Sequence, residues 1–233
     1  MSGAFQAPDT YKALEDMGRF YIDKFSTATV FLLKLNTKIA PTDDIHIRKA
    51  IALATDYDTI RDVIYPGGLL STPLPSAFAD FHADDIPAPA FDMEAAKAEI
   101  EKSKYAGQEI PITLGYVAGT KFEEEISLLM QSNLEQLGFK VTQQADPWNR
   151  ITEIATKEET TPAVNQIFFG PVYPSPDSIF FSQYHSDSAG TWASMEWLLD
   201  PEVDAMINEA RGTADVDKQA EIYRSLQHKL VDM

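Results

Sequence analysis

The sequence of 233 residues contains no cysteine. Disulfides, thiolate nucleophiles and cysteine-based metal sites are therefore excluded, while oxidising and reducing compartments both stay open. Positive charge is scarce too: 19 Lys and Arg stand against 36 Asp and Glu, a net charge of −17. Such a chain repels phosphate backbones and anionic lipid surfaces, which argues against nucleic acid as a partner. No apolar run approaches the roughly 20 residues needed to span a bilayer, and residues 1–8 have neither the basic start nor the apolar core of a signal peptide.

Catalytic patterns are missing as well. His46, His82, His185 and His228 are scattered, with no i, i+4 partner and no Glu-flanked zinc pattern. Asp84 and Asp85 lie near His82, and Asp187 near His185, but no set of three or four convergent ligands is visible. No G-x-S-x-G elbow occurs, and residues 115–121 lack the glycine spacing and the G-K-[ST] ending of a phosphate loop. No catalytic residue, metal ligand or cofactor is assigned.

What is present is a folded chain with a clear order of elements. Hydrophobic residues make up 44% of it, enough for one large core or two small ones. Residues 30–35 are nearly continuous apolar and read as a strand buried on both faces. Asp43 and Asp44 offer caps for a helix striped by Ile47, Ala50, Ile51 and Ala54. From Tyr65 to Pro89 five prolines and no helical stripe predict a long excursion over the surface or along another domain.

Regular alternation follows. After a short helix near 94–102, Ile110, Ile112, Leu114 and Tyr116 share one strand face, and Phe122, Ile126, Leu129, Met130, Leu134 and Leu137 stripe a helix closed by Gly138. Phe139, Val141 and Gln143 alternate again, a short helix spans 148–156, and Val164 to Phe169 form another strand. This β-α-β-α-β order predicts an α/β fold with a mixed, partly parallel sheet flanked by helices. Two more helices follow, one opened by Asp200 and Pro201, the other striped by Ala220, Tyr223, Leu226 and Leu230. The last reaches Met233 without a cap or a glycine, the pattern expected of a piece of a longer protein.

The most informative segment begins where the Val164 strand stops. Gly170, Pro171, Val172, Tyr173, Pro174, Ser175, Pro176 and Asp177 make a stiff loop whose three prolines are expected to forbid any regular element. In open α/β sheets, ligands bind in the crevice at the carboxyl ends of strands, and this loop stands at one.

The order of short motifs resembles the family 5 extracellular solute-binding proteins. Leu35-Asn36-Thr37 with Pro41, then Ile47-Arg48-Lys49-Ala50-Ile51, then Ala54-Thr55-Asp56-Tyr57-Asp58, is similar to the family's "N-T…P…V-R-x-A-I…A-x-D-R" block. Thr72-Pro73-Leu74-Pro75, residues 91–98, residues 137–141, Tyr173-Pro174-Ser175-Pro176-Asp177 and residues 200–204 match in the same order. The resemblance covers about residues 14–230.

It implies that residues 1–233 are the C-terminal lobe of a periplasmic-binding-protein-like bilobal fold, with a larger N-terminal lobe before it and a final segment after it. The implied function is capture of a small extracellular solute, peptide-like or oligosaccharide, in an interlobe cleft, for the membrane permease of an ABC transporter. The implied location is periplasmic or extracellular, with a signal sequence or lipid anchor outside this sequence. On this resemblance Trp148 and Phe169 fall where peptide-binding relatives place pocket aromatics, and Tyr173 matches the tyrosine of their "D-Y-P-x-P" loop. The aspartate before that tyrosine, which binds a peptide's terminal ammonium in relatives, is Val172 here. Trp192, in a loop of Gly, Thr and Ser, is a further aromatic candidate. A different class, a protein-interaction module docking a basic partner on the acidic surface, is separated by what the protein releases on denaturation: a small molecule or a polypeptide.

Overall fold

The computed structural model describes residues 8–23 and 28–233. The first described element is a helix, α1 (Pro8–Asp16). Among the described residues four strands follow, β1 (Val30–Leu35), β2 (Ile110–Val117), β3 (Phe139–Asp146) and β4 (Val164–Phe169). They form one sheet in the order β1-β4-β2-β3. β2 runs parallel to both β3 and β4, and β1 pairs antiparallel with β4. The sheet is mixed and partly parallel, flanked by helices, as the α/β pattern predicts.

Period-two alternation sends successive side chains to opposite faces. One face carries Ile110, Ile112, Leu114, Phe139 and Val164 against α2 (Ile45–Leu53), α4 (Met93–Lys102) and α5 (Lys121–Gln136). A short helix, α3 (Tyr57–Thr59), passes into a π-helical turn (Ile60–Ile64) at the rim of this layer. On the other face Val30 and Phe169 pack with α7 (Pro176–Tyr184), α8 (Pro201–Gly212) and α9 (Val216–Val231). Between them, α6 (Trp148–Ile154) closes a smaller cluster of Ile151, Ala155, Ile167 and Met195. Each fully buried Ile, Leu or Phe in these layers contributes about 1.5–3 kcal/mol of burial.

Gly115 is required where face meets face. A Cβ there would stand 2.9 Å from Asn165 Oδ1 in β4 and 3.1 Å from Pro162 Cγ just before it, closer than a side chain at this position permits.

Two expectations are corrected. β1 is covered on both faces but less completely than expected: it is the edge strand, its side chains pack into both layers, and of its six residues only Val30 and Lys34 are buried while the rest are half-covered. The three prolines do not exclude regular structure either, because Pro176 is the first residue of α7. Ser175 caps that helix by accepting from the Asp177 N–H, and a proline at the first position has no hydrogen bond to lose. The proline-rich excursion lies along α9. Leu74 is fully buried, and Gln227 accepts from Thr72 Oγ1 (3.0 Å) and the Ala83 N–H (3.2 Å) and donates to the Phe81 carbonyl (2.8 Å).

Several residues of the motif block are structural ties. Asn36 is fully buried; its Nδ2 donates to the carbonyls of Glu158 (2.9 Å) and Thr161 (3.1 Å), and its Oδ1 accepts from the Lys38 N–H. Thr37 Oγ1 donates to the Trp197 carbonyl (3.0 Å), and Arg48 donates to the carbonyls of Thr42 and Met233. Asp56 accepts from both the N–H and the hydroxyl of Thr59, capping the start of α3.

Candidate functional site

The three parallel strands end on one side of the sheet, β2 and β3 level with each other and β4 running further. Val117 pairs with Asp146 at the last rung of β2 and β3, and Phe169, the end of β4, faces Val30, the start of β1. The N-termini of α5, α6 and α7 follow these strand ends within a few residues. One rim of the sheet thus collects the strand-to-helix connections, the geometry in which α/β sheets bind ligands.

The candidate aromatics gather on that rim. Trp148, the first residue of α6, is 45% exposed, and its ring meets Trp192 edge to face at 5.3 Å. Trp192 is half-buried and rests on Phe169 at 6.0 Å. Phe169 itself is only 3% exposed and lies in the core, so its place is under Trp192 and not at the surface. The three rings form a graded stack from core to solvent, and such off-parallel packing holds an exposed indole in one orientation. Tyr173 is 46% exposed and Val172 83% exposed at the tip of the proline loop. The loop is tied down where the Val172 N–H donates to Ser178 Oγ, 2.8 Å away in α7.

Behind the loop is a polar chain that sequence reading did not anticipate. The Tyr173 hydroxyl donates to Asp177 Oδ2, and Arg211 Nε sits 2.9 Å from Asp177 Oδ1. The Arg211 guanidinium also lies 4.1 Å above the Phe181 ring. Hydrogen bonding to the Asp177 carboxylate, followed by burial, holds the Tyr173 phenol above its ordinary range.

A second unforeseen residue is Glu123. Its place in the first turn of α5 suits the helix dipole, but the side chain turns inward, 3% exposed, and Oε2 accepts from the Val117 N–H at 2.7 Å. It thereby fastens the end of β2, whose Val117 packs in the same small cluster as Trp192. Burial pushes the Glu123 carboxyl up to about 7, and the Val117 hydrogen bond opposes that only in part. A carboxyl whose folded-state pKa lies above its unfolded value contributes stability that is complete below about pH 4.5 and lost as pH rises through about 7. Glu123→Gln keeps the acceptor for Val117 and removes the ionisation. It is expected to match wild type near pH 4.5 and to be more stable by about 2–3 kcal/mol at pH 8. Urea unfolding at the two pH values measures this, and parallel stability curves for the two proteins would refute it.

The four histidines are engaged with neighbours. His46 pairs with Glu99 (2.7 Å), His82 with Asp84 (2.9 Å) and His228 with Asp85 (3.0 Å), while His185 stacks on Phe181 and meets Asn208 Nδ2 at 3.1 Å. Among the described residues no three His, Cys, Asp or Glu side chains converge as a metal cage would need.

Comparison with known proteins agrees with this geometry. The family model described as bacterial extracellular solute-binding proteins, family 5 Middle, matches residues 3–191. Among curated proteins, the probable D,D-dipeptide-binding periplasmic protein DdpA of Escherichia coli is 23% identical over 226 residues, 96% of this chain and 43% of its own length. Heme-binding protein A of Haemophilus influenzae is 25% identical over 85% of this chain and 36% of its own. The chain thus spans less than half the length of these relatives. Among solved structures, a dipeptide-binding protein from Pseudoalteromonas sp. SM9913 in complex with Met-Leu superposes with a TM-score of 0.85 at 19% identity, over 98% of this chain and 46% of that one. The periplasmic binding protein DppA of Helicobacter pylori, in complex with a peptide, gives 0.86 at 17% identity, over 96% and 43%. With the family model matched over most of its length, the chain belongs to the bacterial extracellular solute-binding proteins, family 5.

Proposed function

We propose that residues 1–233 form the C-terminal lobe of a solute-binding protein, and that its strand-end rim is one wall of an interlobe cleft holding a small polar solute. The observation that carries this reading is the Trp148–Trp192–Phe169 stack at the carboxyl ends of the parallel strands, with the exposed Tyr173 on the loop that follows β4. Flat rings held at a cleft offer stacking surface for peptide bonds, planar groups or sugar rings. The wall is formed by Trp148, Tyr173, Val172 and Trp192, with Phe169 supporting from below. Family membership supports a binding protein over an enzyme, working outside the cytoplasm with a membrane permease of an ABC importer. Peptide binding is named for several relatives. The exposed Val172, standing where relatives place an aspartate, favours a solute with no ammonium at that point, an oligosaccharide or an N-blocked peptide.

Native mass spectrometry of the full-length protein purified without added ligand tests the reading directly. A small molecule released on denaturation is expected; a co-eluting polypeptide in its place would favour an interaction module. In the same protein Trp148→Ala should weaken binding of that released molecule by about tenfold, the worth of one aromatic contact. Isothermal calorimetry reads the change, and unaltered affinity would remove Trp148 from the wall.

A further inference from the structure

We propose that Arg211, a residue of α8, sets the ligand class of the rim by neutralising the one carboxylate that its proline loop carries. This rests on the reading of the rim as a solute-binding wall.

Residues 170–177 contain a single acid, Asp177. It lies in the first turn of α7, next to the loop tip, with its side chain mostly buried. Its two oxygens face different partners: Tyr173 donates to Oδ2, and Arg211 Nε forms an ion pair with Oδ1 at 2.9 Å, without the alignment of a hydrogen bond. Arg211 reaches this place from the last turn of α8, 34 positions along the chain, guided by the Phe181 ring beneath its guanidinium. A planar guanidinium is suited to this double task, because its charge pairs with a carboxylate while its face lies on an aromatic ring. A solute ammonium approaching Tyr173 therefore finds a carboxylate already paired, and a desolvated ammonium without a partner is costly.

Tyr173 gains something from the same arrangement. Its hydroxyl is fixed on Asp177, and Asp177 is fixed on Arg211, so the exposed ring is presented in one orientation by a residue that need not touch the solute. Arg211 is a positioning residue for Tyr173 and a specificity-determining residue through Asp177. With Arg211 removed, Asp177 becomes an unpaired anion beside the aromatic wall, and such a group attracts an ammonium.

The test uses full-length protein and two probes, alanylalanine and its N-acetyl derivative, titrated by calorimetry. Wild type is expected to show no preference for the free amine. Arg211→Met keeps an apolar stem on Phe181 and removes the charge; it is expected to bind alanylalanine at least about tenfold more tightly than the acetylated form. Arg211→Lys, which retains the charge, should behave as wild type. The double variant Asp177→Asn with Arg211→Met should lose the preference again, an outcome that a merely structural role for Arg211 does not produce. If Arg211→Met is poorly folded by circular dichroism, Arg211→Gln takes its place. The proposal is overturned if the charge-removing variant gains no free-amine preference, if the gain persists in the double variant, or if Arg211→Lys shows it too. Failure of the wall reading would register separately, as absence of a released solute from wild type, because the present test scores a gain in a variant.

Discussion

Replacing Glu196 by Gln is expected to lower the unfolding free energy by about 3–5 kcal/mol, because it leaves Lys34 charged and buried without its partner. Lys34 is the polar exception in β1, and it points to the side of the sheet that α7 covers. Its Nζ lies 3.0 Å from Glu196 Oε2, with both side chains almost wholly buried, and 5.1 Å from the Tyr184 ring centre. Burial pushes the lysine down and the glutamate up, each opposed by the other's charge. The pair exists because each partner supplies what the other lost on leaving water.

Lys34→Met should cost a comparable amount, whereas Lys34→Met with Glu196→Met should recover most of the loss, since two apolar side chains leave no uncompensated charge. Urea unfolding of wild type, Lys34→Met, Glu196→Met and the double variant as one double-mutant cycle, with Glu196→Gln measured beside them, decides it. Single variants within about 1 kcal/mol of wild type would show that the pair adds nothing beyond a surface ion pair. The consequence reaches the rim. Glu196 also accepts the Thr37 N–H through its carbonyl at 2.8 Å, and it anchors the segment that carries Trp192 four residues earlier. A loosened Glu196 should therefore broaden the environment of Trp192 before the fold is lost, which indole fluorescence can follow.

That pair also marks the limit of what was legible in the chain. Elements whose signal is local were readable: β1 and β4 begin and end where the apolar runs do, and Ile47, Ala50 and Ile51 are the buried stripe of α2. The motif block was readable through its family resemblance, and in the structure Asn36, Thr37, Arg48 and Asp56 of that block tie parts of the fold together. Lys34 and Glu196 are 162 positions apart, and nothing near either one announces the other. Arg211 and Asp177 pose the same problem, joined only once α7 and α8 have packed. Glu123 stayed hidden for a different reason. On the wheel of α5 it shares the buried side with Phe122, Ile126, Ser127 and Met130, but an acidic run in a first turn also has a complete explanation in the helix dipole. The prolines hid α7 because a proline excludes helix interiors and favours helix starts, and only the serine before Pro176 separates the two cases.

Val172→Asp in the full-length protein is expected to create or strengthen binding of short peptides with free N-termini by about 2–4 kcal/mol, the worth of a desolvated charge-assisted pair. The backbone at this position is already held. Pro171 and Pro174 flank it closely, Pro176 locks the start of α7, and the Val172 N–H is bonded to Ser178 Oγ. A carboxylate grafted here should therefore project outward from the loop as the exposed valine does, without a cost in ordering. It would differ from Asp177 in the respect that matters, because Asp177 is already paired with Tyr173 and Arg211. A panel of dipeptides and tripeptides, each with a free and an acetylated terminus, titrated against both proteins gives the answer. Wild type should bind the two forms alike or not at all, and the variant should favour the free amine. Should wild type already bind free-amine peptides tightly and lose them on acetylation, some other acid holds the ammonium, and the valine does not define the ligand.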